Sequence, residues 1–440
     1  MNQALITPEI PKGTRDFLPA DMAKRIYVME KIKNTFVNFG YDTIETPVIE
    51  YAKTLLGKYG DEGNKQIYSF DDNGGRKIAL RFDQTVPFAR LVASNYQNLP
   101  MPFKRYQISR VWRADKPAKG RYREFYQCDI DIIGTKNLLS EAEITRVIYS
   151  TFNALAFEKF IIKFNSRRLI NDIFASLGIS KDKFTDVLRI LDKLGKIGEK
   201  ATENELGKLL PKQSVEDLLR ILNIKGSNQE KLKSIESYAS KETIEEVKEY
   251  LDLCDSFGVP EKNLILDISL ARGLDYYTGI VFEVYLTDIE IGAVCAGGRY
   301  DNLCSLFSDK EFSGVGVAFG FDRIVLAMEE LGMLKQIKLN AEVLVTYFDK
   351  ESLNESIKIA KELQEAGINT EIYFEPASLG KQMKYADKKG IQFVVICGPE
   401  EIKKNEANVK IMQIGKQKSI PRTQLVSYLT GFKKIGKIHV

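Results

Sequence analysis

The sequence predicts an α+β chain in three parts: an antiparallel sheet flanked by helices, a helical domain inserted into it, and a C-terminal α/β domain. Three observations predict this. Short β-type runs punctuated by Gly, Asn and Pro fill residues 43–134; the pattern from 181 to 256 turns Lys/Glu-rich and helical before β-type sequence resumes; and from 340 strands alternate with helices. A length of 440 residues suits roughly three domains at about 100–150 residues each.

Ile26, Val28, Met29, Ile32, Phe36 and Val37 follow helical spacing and stop at Gly40, so residues 20–40 form an amphipathic helix. Strands follow at 43–50, 76–82, 102–113 and 123–134, the last two joined by the loop Ala114–Gly120. In the helical block, Val187, Leu188, Leu191 and Leu194 share one stripe and Leu218, Leu219 and Leu222 another. Because strands return at 264–270, 280–286 and 293–301, the block interrupts one discontinuous domain: 1–170 with 257–333, around an insertion at 171–256. Residues 314–333 read as a Gly-rich strand running into a helix. The last domain, 340–440, reads strand, helix, strand, helix, strand, strand, helix, which predicts a largely parallel sheet.

Composition narrows the chemistry. Lys and Arg exceed Asp and Glu by only 4, which excludes a polybasic sheath over nucleic acid. No window is apolar enough for a membrane span and the N-terminus lacks a secretory pattern, so a cytoplasmic location is expected. Cys128, Cys254, Cys295, Cys304 and Cys397 form no Cys-x-x-Cys pair, so no disulfide framework or metal site is expected and they read as small buried residues. The single histidine, His439, is one residue from the end. Histidine triads and histidine bases are thereby excluded, and chemistry must run on Arg, Lys, Asp, Glu, Gln, Tyr and backbone groups. Reactions driven by positioning and charge stabilisation, transfer at phosphorus above all, fit that set.

Strand alternation places Arg105, Gln107, Ser109, Val111 and Arg113 on one face of the first long strand, and Arg123, Phe125, Gln127, Asp129 and Asp131 on one face of the second. The opposite face carries Tyr106, Ile108, Trp112, Tyr126, Cys128, Ile130 and Ile132, a core-facing pattern. An antiparallel sheet ordinarily turns its charged face to water. Two features argue for a ligand instead: Arg113 and Arg121 flank the loop as a mobile basic clamp, and the face mixes Arg with Asp and Gln rather than Lys with Glu. Arg272 and Asp275 precede Tyr276 and Tyr277 at a turn, where an arginine and aromatic hydroxyls can hold an anion and bound a flat ring. Gly297 and Gly298 mark either a bulge or the close approach of a ligand or backbone. Arg323, in the first turn of a helix, opposes the helix dipole and calls for a ligand or an Asp partner.

Three separated motifs, in order, resemble those of class II aminoacyl-tRNA synthetases: Phe39 to Pro47 (FGYDTIETP) resembles motif 1, Arg113 through Arg121-Tyr122-Arg123-Glu124-Phe125 motif 2, and Gly314 to Arg323 motif 3. The narrower resemblance is to the histidyl-tRNA synthetase family. It rests on Lys12-Gly13-Thr14-Arg15-Asp16, Arg81-Phe82-Asp83-Gln84-Thr85, Gly120 to Gln127 (GRYREFYQ), Arg272-Gly273-Leu274-Asp275-Tyr276-Tyr277 and Gly297-Gly298-Arg299-Tyr300-Asp301. It covers essentially the whole chain and implies a class II catalytic domain with a C-terminal anticodon-binding domain.

The resemblance further implies roles. Arg113 and Arg323 would be catalytic and, with Arg121, would bind ATP; Arg272 would stabilise charge on the α-phosphate. Asp83, Thr85 and Gln127 would hold the amino end of histidine, Asp131, Tyr276 and Tyr277 would read the imidazole, and Arg113 and Arg272 would face the carboxylate. Asp83 and Asp131 stand where many bacterial relatives carry glutamate, and Lys116 and Ala118 replace loop residues that bacterial members use near the acceptor end of tRNA. The implied partners are L-histidine, ATP with Mg2+, tRNA(His) and a second copy of the chain, with no prosthetic group and no membrane. Two competing readings are an inactive relative serving as a regulatory subunit of a phosphoribosyltransferase, and a module that binds uncharged tRNA. The first usually lacks the RGLDYY element, the key arginines and the C-terminal domain, all present here; the second usually accompanies a kinase, whose signatures are absent.

Overall fold

The computed structural model describes residues 6–57, 60–271, 276–310 and 312–436. They form two compact units: one runs through Asp16 and over Tyr27–Met333, the other comprises Phe17–Ile26 and the chain from Leu334 onward.

The first unit contains β1 (Asp42–Thr43), β2 (Ile49–Tyr51), β3 (Ser69–Asp71), β4 (Lys77–Leu80), β5 (Phe103–Trp112), β6 (Glu124–Ile133), β7 (Phe160–Ser166), β8 (Leu264–Leu266), β9 (Ile280–Leu286), β10 (Cys295–Tyr300) and β11 (Gly314–Phe319). Eight of them form one sheet in the order β1-β5-β6-β11-β10-β9-β7-β8, and β2-β4-β3 form a small second sheet. Only the edge pairs β1–β5 and β7–β8 of the large sheet are parallel. The main helices are α1 (Pro19–Asn38), α2 (Thr85–Asn95), α3 (Leu139–Ala154), α4 (Lys241–Ser256) and α5 (Phe321–Glu330).

One face of the large sheet is an aromatic seam. Val28, Ile32 and Phe36 recur at four-residue spacing on α1 and are fully buried, whereas Ile26 and Val37 of the expected stripe are about half exposed. The Phe36 ring packs on Tyr106 of β5 and Phe319 of β11, and Phe152 of α3 also reaches Phe319. Each fully buried phenylalanine contributes roughly 1.5–3 kcal/mol.

The helical residues between 184 and 256 protect the far edge of the sheet. Asn228 hydrogen-bonds both ways with β8, donating to the Leu264 carbonyl and accepting from the Leu266 amide, each at 2.8 Å. Edge groups that would otherwise stay open are thereby satisfied. Buried Tyr250 of α4 meets Thr145 of α3 through their hydroxyls at 2.7 Å.

In the second unit, β12 (Val343–Val345), β13 (Thr370–Ile372), β14 (Phe393–Ile396), β15 (Glu406–Ile411) and β16 (Gln417–Pro421) form a sheet ordered β13-β12-β14-β15-β16. It carries α6 (Lys350–Glu365), α7 (Leu379–Lys389) and α8 (Leu425–Gly436). The pairs β12–β13 and β12–β14 are parallel, but β14–β15 and β15–β16 are antiparallel. The largely parallel sheet of the sequence reading is thus corrected to a mixed one. Only the short helix Pro399–Lys404 separates β14 from β15, and a parallel crossover takes about a dozen residues or more.

All five cysteines are free and buried. Burial pushes the thiols of Cys254 and Cys304 up to about 12 and that of Cys397 to about 11. Among the described residues no helix is long and apolar enough to cross a membrane.

Candidate active site

The sheet face opposite the aromatic seam is polar, and it is buried. β6 turns Gln127, Asp129 and Asp131 to this side, where register sets them beside Ser109, Gln107 and Arg105 of β5. Arg105 is 0% and Asp131 2% exposed, so the solvated outer face expected of an antiparallel sheet is not what forms here. The chain from Phe82 to Phe88, leading into α2, covers it. Gln84 Nε2 donates to the carbonyls of Ser109 and Gln127, at 3.1 and 3.0 Å, clamping this paired position. The Phe88 ring lies 4.5 Å from the Arg105 guanidinium, and the Phe82 ring 4.3 Å from that of Arg113. Asp83 accepts from the Val86 amide at 3.1 Å, and half-buried Thr85 opens α2.

On the other side of β6, β11 sets Gly316 against Asp131 and Ala318 against Asp129, and β10 then sets Gly298 against Gly316 and Ala296 against Ala318. These small residues let the Asp131 carboxylate and neighbouring strand groups pack closely. A side chain at Gly316 would run into the Asp131 carboxylate, and one at Gly298 would meet the Ile280 carbonyl at 2.7 Å and the Tyr277 ring at 3.0 Å. Gly297 and Gly298 lie within β10 and not at a strand end or bulge; of the two sequence readings, close approach of neighbouring backbone is what the structure shows.

Arg105 is the cation at the centre. Its Nη2 lies 2.5 Å from Asp131 Oδ2, while the Tyr300 hydroxyl donates to Asp131 Oδ1 at 2.5 Å. Both Asp131 oxygens are therefore engaged. Burial pushes the Asp131 carboxyl up, opposed by Arg105 and the Tyr300 hydrogen bond. Asp129 is driven well above the usual carboxylate range, chiefly by burial, with Arg105 and Arg113 opposing and Asp131 and Asp83 adding. Gln84 Oε1, Gln127 Oε1 and Asp129 Oδ1 are buried without a hydrogen-bond partner. Each such group costs about 1–3 kcal/mol, so a cluster of them marks a surface built for a polar ligand.

Hydrogen bonds hold the ends of the loop between β5 and β6. Ala118 and Arg121 exchange backbone hydrogen bonds around Gly120, whose φ of +67° suits glycine. Arg123 donates to the carbonyls of Asp115 and Lys12, and Arg323 to those of Gly120 (3.1 Å) and Ala293 (2.7 Å). Carbonyls thus hold Arg323, while Asp322 pairs with Arg15 and accepts from the Tyr126 amide at 2.8 Å. Arg15 also stacks on Tyr122, 3.2 Å from the ring centroid, which latches the N-terminal segment to the hairpin.

The chain resembles known proteins over nearly its whole length. The family model for histidyl-tRNA synthetase covers residues 13–324, and one for an anticodon-binding domain covers 342–431. The chain belongs to the histidyl-tRNA synthetase family. It is 42% identical to the histidine–tRNA ligase of Rhodopirellula baltica over 93% of this chain and 94% of that one. The crystal structure of histidyl-tRNA synthetase from Nostoc sp. PCC 7120 superposes with a TM-score of 0.86 at 31% identity, covering 97% of this chain and 99% of that one. A structure from Bacillus halodurans titled as an ATP phosphoribosyltransferase regulatory subunit/histidyl-tRNA synthetase shares the fold, with a TM-score of 0.74 at 22% identity over 90% of this chain and 99% of that one.

Among the residues that the family resemblance singled out, Asp83, Gln127 and Asp131 are buried around the covered face, with Thr85 half-buried at its rim. Arg113 is anchored through Nε to the Phe82 carbonyl at 3.1 Å and lies 5.3 Å from the Phe125 ring. Tyr276 packs edge-on against Tyr277 and Tyr300, at 4.8 and 6.3 Å between centroids. Arg121 is exposed on the loop, and Arg272 lies outside the described residues. The synthetase signatures did not single out Arg105, Asp129 or Tyr300 for the site. Strand alternation did place Arg105 and Asp129 on the right face; the contact of Tyr300 with Asp131, 169 positions apart, has no local signal.

Proposed function

We propose that this chain activates L-histidine with ATP to histidyl-adenylate and pyrophosphate, and then transfers histidine to the 3′ end of tRNA(His). The observation that carries this reading is the buried polar face, with its unpartnered acceptors bordered by anchored Arg113. The histidine carboxylate attacks the α-phosphorus in line and pyrophosphate leaves; guanidinium groups spread the developing charge. In this reading Arg113, whose Nε is held by the Phe82 carbonyl, takes the α-phosphate; Arg323 serves the adenine and triphosphate, Arg121 contributes to ATP binding, and Arg272 faces the α-phosphate. Mg2+ enters with ATP as part of the substrate. The terminal ribose hydroxyl of tRNA then attacks the adenylate carbonyl and AMP departs.

Asp83, Thr85 and Gln127 take the amino end of histidine in this reading. Asp131 with Tyr276 and Tyr277 bounds the imidazole, whose one donor and one acceptor allow selection without editing. Residues 171–256 are assigned as an insertion in the catalytic domain, residues 340–440 as the anticodon-binding domain, and the location as cytoplasmic. In the second unit Phe374 is 91% exposed and offers a flat ring to an unpaired base. A homodimer is assigned from Val48, Ile49, Tyr51, Leu56 and Phe70, large apolar side chains exposed on and around the small sheet that follows motif 1.

Exchange of labelled pyrophosphate into ATP tests the reading. Exchange is expected with histidine and with no other amino acid, and to be lost in Arg113→Ala. Folded protein that shows no exchange with histidine would sink it.

A further inference from the structure

We propose that Arg15 is a positioning residue for ATP: by joining Asp322 of α5 to Tyr122 of the β5–β6 hairpin, it sets the spacing between the two elements that carry the nucleotide-binding arginines. The inference rests on the histidine-activation reading and adds to it a residue that has no role there.

Asp322 and Arg323 are neighbours in the first turn of α5, and they hold different parts of the hairpin. Arg323 donates to the Gly120 carbonyl in the loop, and Asp322 Oδ2 accepts from the Tyr126 amide at 2.8 Å on β6. The Asp322 side chain is only 4% exposed, and a carboxylate buried to that extent is costly without a cation beside it. Arg15 is such a cation. Its Nη2 lies on Asp322 Oδ1, and its guanidinium carbon is 3.2 Å from the Tyr122 ring centroid. One planar group thus engages α5 and the hairpin together, which the point charge of a lysine does not reproduce.

The segment that delivers Arg15 is itself seated on the hairpin. The Gly13 carbonyl accepts from the Arg123 amide at 2.8 Å, and the Lys12 carbonyl from the Arg123 guanidinium at 3.2 Å. A side chain at Gly13, where φ is +91°, would meet Arg123 Cγ at 2.8 Å and Pro117 Cγ at 2.9 Å, so the approach is as close as glycine permits. Arg113 and Arg121 belong to the hairpin and Arg323 to α5, so a shift of one against the other misplaces the groups assigned to ATP. The groups assigned to histidine have separate supports: Asp131 is held by Arg105 and Tyr300, and the Gln127 carbonyl by Gln84.

The test measures KM for ATP and for histidine in pyrophosphate exchange, together with binding of labelled ATP and Mg2+ by equilibrium dialysis, which needs no catalysis. Arg15→Met is expected to raise the KM and Kd for ATP by roughly ten- to a hundredfold, the effect of misplacing clamping groups by about an ångström, with the histidine KM unchanged. Arg15→Lys keeps the ion pair and loses the stack, so it should fall between, and it carries the comparison should Arg15→Met not fold. Adding Asp322→Asn to Arg15→Met removes the stranded carboxylate and keeps an acceptor for the Tyr126 amide; the double variant should lose no more ATP affinity than Arg15→Met alone. A lowered melting temperature with both KM values and the ATP Kd unchanged would make the contact merely structural. Equal rises in the two KM values would overturn the positioning role. Exchange absent from the unaltered chain while ATP still binds rejects histidine activation itself, and the dialysis comparison then decides on Arg15.

Discussion

Asp129 is a carboxyl group that folding makes harder to ionise, and this has a measurable sign. Its folded value is raised, so below about pH 4, where the unfolded carboxyl is also protonated, it costs nothing. As pH rises, the unfolded state ionises first and stability falls until the raised native value is passed. The groups that set this value are Asp83 before α2, Arg105 and Arg113 from the β5 side, and Asp131 on β6 itself. Asp129→Asn removes the penalty. Melting curves should therefore show the variant gaining on the unaltered chain as pH rises above about 4, and a difference that does not change with pH would contradict the raised native value. Little of this could be read from residue order. Alternation put Asp129 and Asp131 on one face, but Tyr300, which decides that Asp131 is closed and Asp129 open, is 169 positions from Asp131 and known only from the folded chain.

Among the elements, β11 is the one whose side chains are chosen by absence. Gly316 faces Asp131, so Gly316→Ala forces a methyl group into the carboxylate that holds Arg105. Overpacking of this kind costs about 1–3 kcal/mol, and the variant should lose histidine-dependent exchange more steeply than it loses melting temperature. A variant with ordinary exchange kinetics would show that the Asp131–Arg105 pair tolerates displacement. Most of the elements were legible because their patterns are local: the α1 stripe, the alternation of β5 and β6, the glycine run before α5. What the pattern missed depends on chain geometry beyond the window. Asn408 and Val409 look alike in a parallel or an antiparallel strand, and only the short link after Ile396 sends β15 back against β14.

For the whole molecule, the proposed homodimer rests on the exposed apolar side chains around Ile49 and Tyr51. Replacing both with lysine should halve the mass seen by sedimentation while leaving the far-ultraviolet circular dichroism unchanged. An unaltered mass would count against this surface as an interface. The separated motifs and the C-terminal strand–helix alternation were readable because each is a local pattern in the sequence. The way the polar face is roofed was not, since it is made by Gln84 reaching two backbone carbonyls that any residue supplies.

The sealed thiols have a practical corollary. With all five sulfurs buried and those of Cys254, Cys304 and Cys397 pushed far from ionisation, the native chain offers almost no thiolate to a maleimide or disulfide reagent at neutral pH. A cysteine introduced at an exposed position becomes a unique chemical address without any prior removal of native cysteines. Ile414→Cys, at a position 58% exposed and carrying an environment-sensitive dye, would turn the second unit into its own optical reporter of tRNA docking, read in real time against a silent background.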